Sequence, residues 1–284
     1  MAILISPTEL DALIASGAVV RLLDVRWRLD RPEGRPEYLE GHLPGAVYVD
    51  LDRELSRKGE PSEGRHPLPS RETLQDAARR WGVRRGDIVV AYDDVQSVAA
   101  ARAWWLLERS GVSDVRVLDG GLRGWVAEGL PLETGDVLPP RGDVVLTDLS
   151  GGIATIDDAA EWSQGGVLLD VRAPERYRGE VEPLDPVAGH VPGAINLPTT
   201  THLDSGRFRD PTEIRAAFAS AGVTAATPVA AYCGSGITAA HTALAGALVG
   251  IDVAVYPGSW SEWSNTRGRL VATGPTPSGS VRRT

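Results

Sequence analysis

The length, composition and charge of the chain exclude several classes of protein. It has 284 residues, of which 42% are hydrophobic and 24% charged, so it is long enough for two domains with cores of their own and is unlike a disordered chain. A formal net charge of −9 argues against general nucleic-acid binding. No apolar run reaches the roughly eighteen residues of a membrane span.

Short apolar strands alternate with helical patterns along the chain. In the first half we predict strands at 19–23, 47–49, 88–91 and 115–118 and helices at 7–16, 71–81 and 97–110. In the second half we predict strands at 167–169, 194–196, 229–232 and 252–255 and helices at 156–164, 211–221 and 238–249. This alternation predicts an α/β fold, with mostly parallel sheets covered by helices on both faces.

Four motifs occur twice, in the same order. Leu-Leu-Asp-Val-Arg stands at 22–26 and 168–172, and Gly-His-x-Pro-Gly-Ala stands at 41–46 and 189–194. The strand before Asp93 returns before Cys233, and the Gly/Trp-rich stretch 119–125 returns at 257–263. A period of about 140 residues is the size of a domain. We therefore predict a first domain at 1–137, a linker at 138–152, a second domain at 153–272 and a flexible tail at 273–284.

Cys233 is the only cysteine, and it lies in a glycine-rich turn between a predicted strand and a predicted helix. Sites in parallel α/β folds lie at the carboxyl ends of the strands, where backbone N–H groups and the helix dipole favour a thiolate. The neighbouring glycines let backbone amides approach an anion. The first half has Asp93 at this position and lacks the glycines, so we predict that the first domain is not catalytic.

A single cysteine also bears on the compartment. It excludes an internal disulfide and suits a reducing environment. The first residues lack the basic region and long apolar stretch of a signal peptide. We therefore expect a cytoplasmic protein that binds neither membranes nor nucleic acid.

These motifs together resemble the rhodanese superfamily, in particular its two-domain sulfurtransferases, over about residues 6–263. The loop Cys-Gly-Ser-Gly-Ile-Thr at 233–238 is similar to that of 3-mercaptopyruvate sulfurtransferases and lacks the basic residues of thiosulfate-preferring animal rhodaneses. The resemblance implies two tandem rhodanese-like domains and no cofactor. It implies that sulfur passes from a small anionic donor, 3-mercaptopyruvate or thiosulfate, through a Cys233 persulfide to cyanide or a thiol, such as thioredoxin or a small thiol.

The resemblance also implies roles for residues around the cysteine. The loop residues that would surround the sulfur are Gly234, Gly236, Ile237 and Thr238. Arg176 matches the arginine that binds the donor anion, and Arg178 is a weaker candidate for the same role. The mercaptopyruvate enzymes usually have a second arginine a few residues later, but the stretch 179–186 has none.

A proton relay is the second implied feature. Ser235 matches a serine proposed to pass a proton in the mercaptopyruvate branch, with His66 and Asp52 as its partners. The alternative for Ser235 is a small residue tolerated by a tight loop, and for His66 a polar loop residue.

Other polar and aromatic residues have a structural interpretation. His42 and His190 belong to a motif present in both halves, so they are not specific to catalysis and are expected in structural turns. Asp24 and Asp170, at strand ends, are expected to accept backbone hydrogen bonds. Trp260 and Trp263 either line the mouth of the site or pack at a domain edge.

Three alternatives to a sulfurtransferase remain open at this point. A cysteine-dependent phosphatase or arsenate reductase places an arginine six residues after the cysteine, where this chain has Ala239. A sulfur-relay protein would hand the same persulfide to a partner protein. A purely structural tandem domain would not need the cysteine loop.

Overall fold

A computed structural model describes residues 2–283, which divide into two compact units. The first unit contains residues up to 57, Leu68–Ser150 and Ser205–Phe208. The second contains Lys58–Pro67, Gly151–Asp204 and the residues from 209 onward. Met1 and Thr284, which the predicted first domain and tail include, lie outside the described residues.

The first unit is built on a five-stranded sheet in which every pair of neighbours is parallel. Its strands are β1 (Leu4–Ile5), β2 (Val20–Asp24), β3 (Val47–Tyr48), β4 (Ile88–Tyr92) and β5 (Val115–Leu118), in the spatial order β1-β5-β4-β2-β3. Its helices are α1 (Pro7–Ala15), α2 (Arg35–Glu40), α3 (Leu51–Glu54), α4 (Arg71–Arg80), α5 (Val98–Arg109) and α6 (Gly121–Ala127). The short strand β9 (Arg207–Phe208) also belongs to this unit.

The second unit contains a four-stranded parallel sheet in the order β11-β10-β6-β7. The strands of that sheet are β6 (Val167–Asp170), β7 (Ile195–Asn196), β10 (Val229–Tyr232) and β11 (Val253–Val255). The unit also contains β8 (Leu203–Asp204), β12 (Leu270–Thr273) and β13 (Ser280–Arg283). Its helices are α7 (Ile156–Glu161), α8 (Pro174–Arg178), α9 (Pro211–Ser220), α10 (Ile237–Leu248) and α11 (Ser259–Asn265). Short 3-10 helices cover Pro61–Glu63, Trp162–Gln164 and Thr199–His202.

Local chemistry explains why these elements begin where they do. Ser6 caps α1 in a capping box with Glu9, and Pro7 occupies the first turn, where a missing N–H costs nothing. The strand β10 is Val-Ala-Ala-Tyr and is buried along its whole length, as expected of a central strand in a parallel sheet. Tyr232 is paired with Asp170 at the carboxyl end of this sheet, so the next residue, Cys233, emerges there.

The predicted α/β class is confirmed, and each predicted strand and helix is present with its ends shifted by a few residues at most. The predicted helix 156–164 ends as an α-helix at Glu161 and continues as a 3-10 turn. Several short elements were not predicted, among them α2, α3, α6, α8 and α11. Helices of four to seven residues carry too few apolar positions to give a periodic signal.

The segments between and after the predicted domains are more ordered than their composition indicates. Residues of the predicted linker up to 150 pack against the first unit: Gly142 N donates to Arg79 O at 2.7 Å, and Leu146 is buried. In the predicted tail, β13 pairs antiparallel with β12, with Thr273 opposite Ser280. The stretch predicted as a flexible tail thus contains a paired strand at Ser280–Arg283, which the sequence did not indicate because an edge hairpin needs backbone pairing and no apolar periodicity.

Candidate active site

Cys233 lies directly after β10, at the carboxyl end of the second unit's sheet, and is 3% exposed. Its backbone is tied to α11 at both ends: Cys233 N donates to Ser259 Oγ at 3.1 Å, and Trp260 N donates to Cys233 O at 3.0 Å. Ser261 N in turn donates to Gly234 O at 2.9 Å. These bonds hold the turn in one conformation, so the thiol is presented by a rigid loop.

The Cys233 sulfur faces the beginning of α10. Gly236 N donates to Cys233 Sγ at 3.1 Å, and Gly236 is the residue before the first turn of that helix. The N-cap residue of α10 is this glycine, which has no side chain of its own to cap the helix, and the helix dipole adds positive potential there. Ile237 is buried and Thr238 half-buried in the same turn. A backbone N–H donor and a helix N-terminus at the sulfur are the surroundings that the sequence predicts for this loop.

Gly236 is required by two features of its backbone. Its φ is +82°, in the left-handed region. A Cβ built there would lie 2.3 Å from Pro257 O, which is far closer than any real contact. Only glycine fits this position, which explains one of the two glycines that mark the loop.

Ser235 and His66 are brought together in the second unit. Ser235 Oγ and His66 Nδ1 are 2.8 Å apart, and both residues are buried. His66 arrives on the segment Lys58–Pro67, which packs against α11: Arg65 N donates to Ser261 Oγ at 3.1 Å. The sequence pairs Ser235 with His66 only by family resemblance, since nothing local indicates that 58–67 belongs with the second half.

Asp52, the third predicted relay residue, belongs to the first unit. It lies in α3, and its carboxylate accepts a hydrogen bond from Trp27 Nε1 at 3.1 Å. Its suggested action on His66 stays a prediction.

Arg176, on α8, is held by buried carboxylates. Its Nη2 donates to Glu182 Oε1 at 2.7 Å and lies 3.6 Å from Asp185 Oδ2. Both acidic side chains are nearly inaccessible, and burial raises the pKa of Asp185 while Arg65 and Arg176 oppose that rise. Arg178 differs: it pairs with Glu180 and is about one-third exposed. The structure thus places Arg176 beside the loop and gives Arg178 the contacts of a surface ion pair.

Arg65, which no sequence motif indicated, is a second cation beside the cysteine loop. Its Nη1 makes an ion pair with Asp185. Its Nη2 lies 3.1 Å from the position that a Cβ on Gly234 would occupy, and Arg176 Nη1 lies 3.3 Å from the same point. The signal that could have pointed to it is its place directly before His66.

The repeated Leu-Leu-Asp-Val-Arg and Gly-His motifs form the same network in each unit. In the second, Arg172 binds Asp170 through two nitrogens, and Tyr232 donates its hydroxyl proton to the same carboxylate. His190 Nδ1 lies 2.8 Å from Tyr177 O, and its ring stacks on that tyrosine. The equivalent contacts in the first unit involve Asp24, Arg26, Tyr92, Tyr38 and His42. These residues are structural in both halves, and Asp24 and Asp170 each accept a backbone hydrogen bond as expected.

Trp260 and Trp263 are buried in the core of the second unit. The indole of Trp260 donates to Val187 O at 2.9 Å, and the Arg172 guanidinium lies 4.6 Å from its ring. Trp263 donates to Leu270 O. Both contacts fit the packing interpretation of these residues rather than a role at the mouth of the site.

Asp93 occupies the equivalent turn of the first unit and fills it with its own side chain. Its carboxylate accepts four backbone hydrogen bonds at 2.8–2.9 Å, from residues 95, 97, 99 and 100. The group is completely buried, and that burial raises its pKa to about 6. The amides at the start of α5 are thus satisfied internally.

Among residues 2–283, no three or more His, Cys, Asp or Glu side chains are grouped so as to hold a metal ion. Within the same residues, no helix has the length and apolar character to cross a membrane.

Each unit has a parallel sheet with a turn at the carboxyl end of an equivalent strand, and this turn holds Cys233 in the second unit and Asp93 in the first. The model of the Rhodanese-like domain matches residues 6–128 and again 155–266. The chain therefore belongs to the rhodanese family, and it is a two-domain sulfurtransferase of that superfamily.

Individual relatives agree with this assignment over nearly the full length. The chain is 48% identical over 276 residues to SseB of Mycobacterium tuberculosis, a protein assigned to the thiosulfate sulfurtransferases, covering 96% of this chain and 97% of that one. It is 38% identical over 258 residues to the 3-mercaptopyruvate sulfurtransferase of Homo sapiens, covering 87% and 86%. The crystal structure of SseA, a 3-mercaptopyruvate enzyme from Escherichia coli, matches with a TM-score of 0.81 at 33% identity, covering 92% and 99%.

Proposed function

We propose that this protein transfers a sulfur atom from 3-mercaptopyruvate or thiosulfate to a thiol through a persulfide on Cys233. The observation that carries the proposal is the hydrogen bond from Gly236 N to Cys233 Sγ at 3.1 Å, at the start of α10. A thiolate and a persulfide are both anions, and this turn stabilises an anion at sulfur without a metal.

The first half-reaction loads the sulfur. The Cys233 thiolate attacks the outer sulfur of thiosulfate, an S–S bond forms, and the departing sulfite takes the electron pair of the S–S bond that breaks. With 3-mercaptopyruvate the C–S bond breaks instead, and the resulting enolate of pyruvate must take a proton. The 2.8 Å contact between Ser235 and His66 supports a role for this pair in passing that proton.

The second half-reaction discharges the sulfur. An acceptor thiolate attacks the outer sulfur of the persulfide, forms a new S–S bond and returns Cys233 as a thiolate. No second cysteine is present to form an internal disulfide with the persulfide. A thiol-rich reducing compartment such as the cytoplasm, with thioredoxin or a small thiol as acceptor, suits this chemistry.

Intact mass spectrometry tests the proposal directly. Incubation with donor adds one sulfur to the wild-type chain, and a thiol acceptor or cyanide removes it. Cys233→Ala and Cys233→Ser gain nothing. If neither thiosulfate nor 3-mercaptopyruvate adds sulfur to the wild-type protein, the proposal is wrong. A comparison of kcat/KM for the two donors then identifies the preferred one.

A further inference from the structure

Two guanidinium groups lie over Gly234, the residue after the nucleophile. A Cβ at Gly234 would be 3.1 Å from Arg65 Nη2 and 3.3 Å from Arg176 Nη1. The two arginines come from distant parts of the chain, one on the segment Lys58–Pro67 and the other on α8. Both belong to the second unit, and they converge on one point of the cysteine loop.

Buried carboxylates bind each guanidinium through nitrogens other than the one nearest Gly234. Glu182 accepts hydrogen bonds from Nε and Nη2 of Arg176. Asp185 pairs with Nη1 of Arg65. The Asp185 and Glu182 side chains are 2% and 3% exposed, whereas those of Arg65 and Arg176 are 27% and 18% exposed. The acids are therefore fixed supports, and the arginines keep a face that a small molecule can reach.

The orientation of the nitrogens leaves one edge of each guanidinium directed at the loop. The carboxylates engage Nη1 of Arg65 and the Nε–Nη2 edge of Arg176, so the nitrogens nearest Gly234 are Arg65 Nη2 and Arg176 Nη1. Two such N–H donors near one point match a carboxylate or a sulfonate-like group, because each of these groups has several oxygens that can accept a hydrogen bond.

We propose that Arg65 is a second donor-binding residue, which acts with Arg176 to bind the anionic end of the sulfur donor, and that Asp185 positions it. This inference rests on the proposed function. The stretch 179–186 contains no arginine, and it supplies Glu182 and Asp185 as anchors for cations from elsewhere. Arg65 thereby provides the charge that this stretch lacks.

A competing role for Arg65 is purely structural. Its ion pair with Asp185 also fastens the segment that carries His66, so loss of Arg65 could act only by displacing that histidine. The two roles differ for thiosulfate, because sulfite leaves as a stable anion and needs no proton from His66. They also differ for binding measured without turnover.

The first test is kinetic. Arg65→Gln raises KM for thiosulfate and for 3-mercaptopyruvate about 10- to 100-fold, the range expected for one charge-assisted hydrogen bond, and leaves the rate of persulfide discharge to the acceptor unchanged. Arg65→Lys, which keeps the charge without the planar fork, falls between. Arg209→Gln, which removes a partly exposed arginine paired with Glu213 in the same unit, serves as the matched control and changes neither value.

The second test separates this inference from the proposed function. Binding of thiosulfate to the unreactive Cys233→Ser protein is measured by calorimetry with and without Arg65→Gln, which weakens it at least 10-fold. A thiosulfate affinity unaffected by both Arg65→Gln and Arg65→Lys would overturn the inference, as would a loss confined to 3-mercaptopyruvate turnover and equal to that of His66→Ala. A wild-type protein that forms no persulfide contradicts the proposed function, while the calorimetry still tests Arg65.

Discussion

At the scale of single residues, the active site depends on polar groups that are buried and paired. Ser235 and His66 make a 2.8 Å contact although 169 residues separate them in sequence. A buried hydroxyl without a partner would destabilise the fold, so the pair contributes to the stability of the structure. Its chemical contribution is expected only where the reaction moves a proton.

The two donors differ in that respect, which makes the relay testable. His66→Gln and Ser235→Ala are each expected to lower kcat/KM for 3-mercaptopyruvate about 100-fold or more, the usual size of general acid–base catalysis, because the enolate product must be protonated. The same variants change kcat/KM for thiosulfate less than about 10-fold, since sulfite leaves without a proton. Steady-state kinetics with both donors measures the contrast.

Ser220→Ala is the matched control for this prediction. Ser220 is exposed at the end of α9 and bonds only the local Ala217 O among the contacts described. Equal losses with the two donors for His66→Gln would show that the histidine supports the loop rather than the proton transfer.

At the scale of elements, the same strand–turn–helix unit is used in two ways. In the first unit the Asp93 carboxylate occupies the amides at the start of α5, with four hydrogen bonds. In the second, α10 begins at Gly236, whose backbone amide donates to the Cys233 sulfur. In the first unit a carboxylate of the turn itself takes up these amides, and in the second the helix start faces the sulfur, which supports the prediction that only the second half is catalytic.

The conformation of the cysteine turn depends on Gly236. Gly236→Ala is expected to destabilise the protein by more than about 2 kcal/mol and to abolish persulfide formation, because it adds a 2.3 Å clash with Pro257 O to the cost of a positive φ. Thermal unfolding and donor loading followed by intact mass are the measurements.

Gly250→Ala separates the clash from the backbone cost. Gly250 has a φ of +77°, follows the same helix, and would have open space around a Cβ. The Gly250→Ala variant is expected to lower the free energy of unfolding by only about 1–2 kcal/mol and to form the persulfide normally. If both alanine variants lose the same stability and both still form the persulfide, the steric argument for Gly236 is wrong.

At the scale of the whole molecule, all five histidines are buried. Burial lowers the pKa of His190, and it lowers that of His202 from the ordinary 6.5 to about 4. Neither ring nitrogen of His202 has a hydrogen-bond partner within the described residues, and its ring stacks on Phe218 at 4.8 Å. The folded chain therefore takes up a proton at His202 less readily than the unfolded chain.

The sign of the resulting pH dependence follows from linkage. The pKa of His202 is lower in the folded chain than in the unfolded chain. The free energy of unfolding is therefore highest above about pH 6.5, and protonation of His202 in the unfolded chain lowers it by up to about 3 kcal/mol as the pH falls towards 4. His202→Leu removes this part of the loss, so its stability relative to wild type improves as the pH falls. Denaturant unfolding at pH 7, 6, 5 and 4 measures the difference.

Phe218→Leu is the control for the pH prediction. It removes the stacking ring but leaves the histidine, so it lowers stability at every pH by a similar amount. A difference between His202→Leu and wild type that stays constant from pH 7 to 4 would contradict the assignment of the low pKa to His202.

The core elements of the site could be predicted because their signals are local. The apolar run of β10, the glycines around Cys233 and the following helix are consecutive in sequence, and the structure has all three within a residue of the expected positions. The repeated motifs predict two α/β halves, of which only the second contains a cysteine. Arg176 was predicted by family resemblance, and it does lie beside Gly234.

The class of fold, the candidate nucleophile and the turn that presents it were predictable from sequence alone, since strand, turn and helix preferences act over a few neighbouring residues. Only the tertiary structure decided that Lys58–Pro67 joins the second unit, that His66 meets Ser235, and that Arg65 and Arg176 converge over Gly234. It also decided that Ser280–Arg283 forms a strand. These features depend on packing and hydrogen bonds between segments far apart in the chain, for which no local pattern exists.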